Sequence, residues 1–129
     1  MRRLIRGLTL CGLVLTAGTA QAAGSWVATA PPVRVAMADR EAASAALVPG
    51  DGTAGRIAEV RWRYRRPAGA AIRARLCHPG GCMLLPDQRG RSEALAGLAA
   101  EAPLRFRFSL APGQAPITVQ GLQVIVNYR

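Results

Sequence analysis

The chain contains no lysine. All 17 of its basic residues are arginine, set against 7 acidic residues and one histidine. Aromatic residues are few, two each of Phe, Trp and Tyr, which leaves little from which to build a platform for stacking bases. The acids Asp39, Glu41, Asp51, Glu59, Asp87, Glu93 and Glu101 are scattered, and no two sit at a spacing that marks a general acid/base pair. No Gly-x-Ser-x-Gly elbow and no phosphate-cradling glycine loop occurs. These absences point away from an enzyme. We assign no catalytic residues, no cofactor and no metal.

What is present begins with a leader. Arg2, Arg3 and Arg6 form a basic start, Leu8 to Ala17 an apolar run too short to span a bilayer, and Ala20-Gln21-Ala22 a small-x-small site. This pattern predicts a signal peptide over 1–22, cut after Ala22 with Ala23 as the nearest alternative. A retained anchor is the competing reading. Cys11 lies too early for a lipoprotein and follows the bulky Leu10, so it is expected to leave with the leader. The expected mature chain, 23–129, suits one small domain with one core. It carries 14 arginines against 7 acids, a formal +7. The chain is expected to be exported to an oxidising space, with no stable membrane insertion after cleavage.

In that compartment Cys77 and Cys82 are an even pair, and an oxidising space favours a disulfide between them. Zinc needs four ligands, and only these two and His78 are at hand. A redox centre more often presents Cys-x-x-Cys at a helix start. The spacer His78-Pro79-Gly80-Gly81 instead suits a turn, with His78 a solvated loop residue. The closed loop is short, so the chain-entropy contribution is about 2 kcal/mol.

Alternation of apolar and polar residues dominates the remainder. Val60, Trp62 and Tyr64 alternate with Glu59, Arg61, Arg63 and Arg65; Ile72, Ala74 and Leu76 with Arg73 and Arg75. Leu104, Phe106, Phe108 and Leu110 alternate with Arg105, Arg107 and Ser109, and Leu122, Val124, Val126 and Tyr128 share one side of a last strand. Period two predicts half-buried strands. Arg66-Pro67-Ala68-Gly69 and Ala111-Pro112-Gly113 supply turns between them. The expected fold is all-β, a small antiparallel sandwich or barrel-like single domain. Its expected core includes Trp62, Leu76, Phe106, Phe108, Val124 and Val126. Trp26 to Met37 reads as one or two strands broken at Pro31-Pro32. Ala38 to Val48 is compatible with a helix, an Ala-rich loop or an irregular strand, and Ser92 to Pro103 admits one helical turn.

Arg61, Arg63, Arg73, Arg75, Arg105 and Arg107 all alternate with core positions and are expected to form one outward patch that binds a partner. A purely solvated basic face is the alternative, in which case a sheet edge near the C-terminal strand becomes the better binding surface. Nucleic acid is disfavoured, because the chain is read as exported and its aromatics face the core.

Several stretches together resemble the flagellar FlhE family of small exported proteins: "GSW" after the leader, "VRWRYR", "RARLCHPGGC", "EAPLRF" and the terminal "QVIVNYR". The turn His78 to Gly81 departs from the polar residues expected there. The resemblance implies a periplasmic accessory protein, chaperone-like or gatekeeping, linked to flagellar export and rod or filament assembly. It also implies a part in limiting proton leakage through the export apparatus. The implied partners are flagellar rod or export-apparatus proteins. The alternative is an envelope structural or plug protein that meets an anionic surface through an arginine-rich sheet face. Oligomeric state is not legible.

Overall fold

The computed structural model describes residues 23–129 together with Gly12. The expected leader, its cleavage point and Cys11 otherwise lie outside the described residues. The described chain forms strands β1 Gly24–Ala30, β2 Val33–Val35, β3 Ala42–Ala43, β4 Ile57–Arg65, β5 Ile72–His78, β6 Gly81–Leu85, β7 Arg89–Ser92, β8 Arg105–Leu110 and β9 Ile117–Tyr128. No helix occurs among the described residues. Both helical possibilities therefore resolve to β and turn. Within Ala38–Val48, Ala42 pairs with Phe108, Ala43 with Arg107, and Leu47 bridges to Leu104. Beyond Ser92, which ends β7, residues 93–103 are mostly turns, with a bridge from Ala99 to Arg56, and they bury Leu95 and Ala100.

The strands make a sandwich of two antiparallel sheets. One runs β1-β9-β4-β7, with β2 also on β9; the other runs β3-β8-β5-β6. Pro31 and Pro32 separate β1 from β2, as the sequence allowed, and both strands then lie along β9. Alternation carries each strand's apolar side inward. Trp62, Leu76, Phe106, Phe108, Val124 and Val126 are all buried, as expected from their spacing. Tyr64 stands edge-on to both phenylalanines, at 6.2 Å from Phe106 and 5.4 Å from Phe108, while the two Phe rings stack at 5.8 Å. Both tryptophans bury an apolar body and still satisfy their N–H groups. The Trp26 indole donates to the Ala100 carbonyl at 3.0 Å and the Trp62 indole to the Asp87 carbonyl at 2.9 Å.

β9 is longer than its legible part. Its inward residues are Ile117 and Val119, then Leu122, Val124 and Val126, so parity slips by one between Val119 and Leu122. Opposite this slip the register with β4 jumps from Arg63↔Gln123 to Arg65↔Gln120. The extra residue is absorbed by a bulge in which Gly121 takes φ 64°. A left-handed backbone with no Cβ costs glycine little and other residues more.

Two expectations follow from the core. Phe106→Ala should lower unfolding stability by about 3–5 kcal/mol, read by denaturant titration, because a large buried ring leaves a cavity in a close-packed interior. Tyr64 gives a pH dependence. Burial raises its phenol above the ordinary value of 10.0; the Arg66 charge lowers it and the Asp87 charge raises it, but burial is the largest cause. The unfolded chain therefore loses this proton first, from about pH 10. The stabilisation is whole below that pH and fades as pH rises through the folded value. Tyr64→Phe should flatten the alkaline fall in stability, and equal slopes for both proteins between pH 9 and 11.5 would remove Tyr64 as its source.

Candidate functional site

The hairpin of β5 and β6 carries the two cysteines as cross-strand neighbours. Cys77 pairs with Cys82 and His78 with Gly81, leaving Pro79-Gly80 as a two-residue turn. The cysteine Cα atoms lie 4.0 Å apart and a disulfide joins them. That separation is close to the spacing of a pair that exchanges no backbone hydrogen bonds.

His78 departs from its reading as a solvated residue. It is the last residue of β5 and is buried. The Gly80 N–H donates to its Nδ1 at 2.8 Å, and its Nε2 lies 2.9 Å from the Ala99 carbonyl. One nitrogen must accept and the other donate, which fixes the neutral Nε2–H tautomer in this arrangement. His78 therefore clamps the tip of the hairpin to the 93–104 turn region. Among the described residues no three His, Cys, Asp or Glu side chains come together as a possible metal site.

The expected single arginine patch is not what the fold makes. Arg61 and Arg63 lie on β4 in one sheet, whereas Arg73 and Arg75 on β5 and Arg105 and Arg107 on β8 belong to the other. Each points away from the shared core, so the two groups face opposite sides of the sandwich. The sequence pattern placed every arginine outward correctly, but it carries no information on which strands share a sheet.

The arginines also differ in what holds them. The Arg75 guanidinium grips Glu41 with two hydrogen bonds, Nε to Oε2 at 2.9 Å and Nη2 to Oε1. Arg105 donates to the Ser44 carbonyl at 3.1 Å. Both contacts tie the short β3 segment across β8, a structural task. Arg61 meets Glu59 at 3.0 Å. Arg63, Arg73 and Arg107 have no acidic partner within 4 Å among the described residues.

Two arginines that the sequence reading did not select join the first group. β7 pairs with β4 so that Arg91 stands opposite Arg61 and Arg89 opposite Arg63. β7 holds no apolar residue to alternate with, so it gave no period-two signal; the Arg-x-Arg spacing shared with β4 was the only trace. Arg61, Arg63, Arg89 and Arg91, with Gln123 and Ile125 of β9, line an open cleft of about 420 Å³. At its floor Gly90 lies flat against Trp62, where an added Cβ would approach the indole to 2.6 Å. The edge expected near the C-terminal strand is also elsewhere. β9 is internal, flanked by β1 and β2 on one side and β4 on the other. The free edge of this sheet beside the cleft belongs to β7.

His78→Ala should loosen the hairpin tip by about 1–3 kcal/mol, since the Ala99 carbonyl and the Gly80 N–H both lose a partner. Faster amide exchange at Gly80 and Gly81, with the core amides unchanged, is the expected signature; unchanged exchange there would deny His78 its clamping role.

Comparison with known proteins agrees with this fold and its pattern. The family model of the flagellar protein FlhE matches residues 33–129. The chain is similar to the flagellar protein FlhE of Escherichia coli (strain K12), with 34% identity over 134 residues covering the whole of both chains. It is similar to that of Yersinia enterocolitica at 36% identity over 138 residues, covering 99% of this chain and 96% of the other. A crystal structure of FlhE superposes with a TM-score of 0.77 at 32% identity, over 83% of this chain and 97% of that one. Matched by the family model over 33–129 and by relatives above 30% identity along its whole length, this chain belongs to the FlhE family of flagellar proteins.

Proposed function

We propose that the chain is a non-catalytic accessory protein of the flagellum. It acts in the periplasm as a chaperone or gatekeeper for flagellar export and rod or filament assembly, and thereby limits proton leakage through the export apparatus. Family membership across the whole chain is the observation that carries this reading. Three further features support it. The leader pattern directs the chain out of the cytoplasm. The Cys77–Cys82 bond suits an oxidising compartment. Among the described residues the sandwich displays open strand edges and arginines without a carboxylate partner, surfaces that suit binding. The partners on this reading are rod or export-apparatus proteins, met through some of Arg61, Arg63, Arg73, Arg75, Arg105 and Arg107. Arg75 and Arg105 contribute least, because they already hold β3.

A second reading, an envelope plug that rests on an anionic surface, is favoured by one observation: unpaired arginines occupy both outer faces of the sandwich. Periplasmic pull-down separates the two. The protein should emerge with an N-terminus at Ala23 or Gly24 and retain rod or export-apparatus subunits, and strains lacking those subunits should yield it alone. Recovery with membrane vesicles irrespective of the flagellar genes would support the plug instead.

A further inference from the structure

The cleft between β4 and β7 has an arrangement that a merely solvated face does not need. Arg61 and Arg91 stand directly opposite, and so do Arg63 and Arg89. Like charges across adjacent strands oppose pairing, and here the conflict is repeated in two neighbouring rows. Only Arg61 has a carboxylate, Glu59, within reach among the described residues.

The backbone pattern adds a second observation. The Tyr64 N–H donates to the Gln88 carbonyl at 2.8 Å. Stepping by two along the same register makes Trp62/Gly90 and Val60/Ser92 the hydrogen-bonded pairs. The two arginine pairs are then the non-bonded ones, whose Cα atoms approach to about 4.5 Å. It follows that the N–H and C=O groups of Arg89 and Arg91 point away from β4. They face the edge of β7, which pairs with no other strand among the described residues. The same two residues thus present unpaired backbone groups in the plane of the sheet and guanidinium groups on its outer face.

We propose that the edge of β7 is a docking site for an extended acidic polypeptide segment, which adds to the sheet as a strand with carboxylates at alternate residues. Backbone hydrogen bonds to Arg89 and Arg91 supply the pairing, as in other strand additions. Carboxylates two residues apart, about 6.8 Å along a strand, face the arginine rows, whose planar forks donate paired hydrogen bonds to them. Gly90 between the rows belongs to the inner face, where it meets the Trp62 indole, so only the arginines present side chains on the outer face of β7. A phosphate or a lipid headgroup satisfies the charge but makes no use of the strand edge, so a peptide is the occupant that fits both features. This rests on the reading of the chain as a binding protein for flagellar subunits, and gives that binding a place and a chemistry.

The test uses the mature protein and a labelled ten-residue peptide that alternates glutamate with threonine. Anisotropy should show saturable binding that weakens as salt rises, and amide resonances of Arg89 and Arg91 should shift. R89S/R91S should weaken binding at least tenfold, while R73S/R107S on the opposite sheet should change it less than twofold. A peptide with glutamine for glutamate, and one N-methylated along its pairing edge, should each lose at least tenfold. A melting temperature for R89S/R91S equal to or above wild type shows that the loss is not unfolding. Equal binding by R89S/R91S, or by either altered peptide, overturns the proposal. So does failure of the acidic peptide to bind when inorganic phosphate or phosphatidylglycerol–phosphatidylcholine vesicles do. The parent reading fails separately: peptide binding without capture of any flagellar subunit keeps the site and removes that role, and capture that ignores Arg89 and Arg91 does the reverse.

Discussion

A twelve-residue strand can keep one face on a core only while its side chains hold their parity, and β9 does not hold it. Its inward residues are odd-numbered up to Val119 and even-numbered from Leu122. Without an extra residue in the ladder, the early half of the strand would turn Ile117 and Val119 to water. The bulge at Gly121 restores both halves to the core, and the left-handed φ there is what glycine makes inexpensive. β9 touches β1, β2 and β4, so the whole first sheet depends on this correction. The bend also hands pairing from β1, which ends against Leu122, to β2, which starts against Val119. Pro31 and Pro32, unable to supply ladder donors, occupy the gap where none are needed.

Fixing β9 in the interior determines where the sheet ends. β4 takes the other flank of β9, and β7 is left with one paired side. β7 is short and charged, with arginine at two of its four positions, features that discourage accidental pairing between copies of a protein. The same features do not discourage a partner of opposite charge. An edge that repels its own kind and attracts acidic chains combines protection and recognition in four residues.

The sequence was most legible where apolar residues alternate. β4, β5, β8 and the end of β9 show their inner faces directly, and Trp62, Phe106 and Phe108 lie inside as that pattern requires. The early half of β9 was hidden because the bulge breaks the period, and β7 because it buries no apolar side chain of its own. β3 is two residues long, held by Glu41 on Arg75 and by Arg105 on the Ser44 carbonyl, contacts between segments far apart in the chain. Sheet membership was illegible for a similar reason. Alternation fixes inside and outside, whereas strand order depends on pairings between distant residues. The six arginines were correctly turned outward and wrongly joined into one surface.

The use of arginine throughout bears on that surface. A lysine at positions 61, 63, 89 and 91 would give the same charge, but its ammonium is strongly hydrated and makes no planar fork. Guanidinium groups are more weakly hydrated, so arginines set in two rows lie side by side at lower cost. Where the fold needs an anchor, as at Arg75, the fork closes on a carboxylate of its own chain. Where the fold has no such need, at Arg63, Arg89 and Arg91, the forks stay without a carboxylate among the described residues. The difference lies in the neighbours. β3 brings Glu41 to Arg75, while β7 brings only further arginine to β4. The first arrangement is closed within the fold by a half-exposed ion pair. The second sets like charges side by side with no carboxylate at Arg63, Arg89 or Arg91 among the described residues, and the acidic strand proposed for the open side of β7 supplies one.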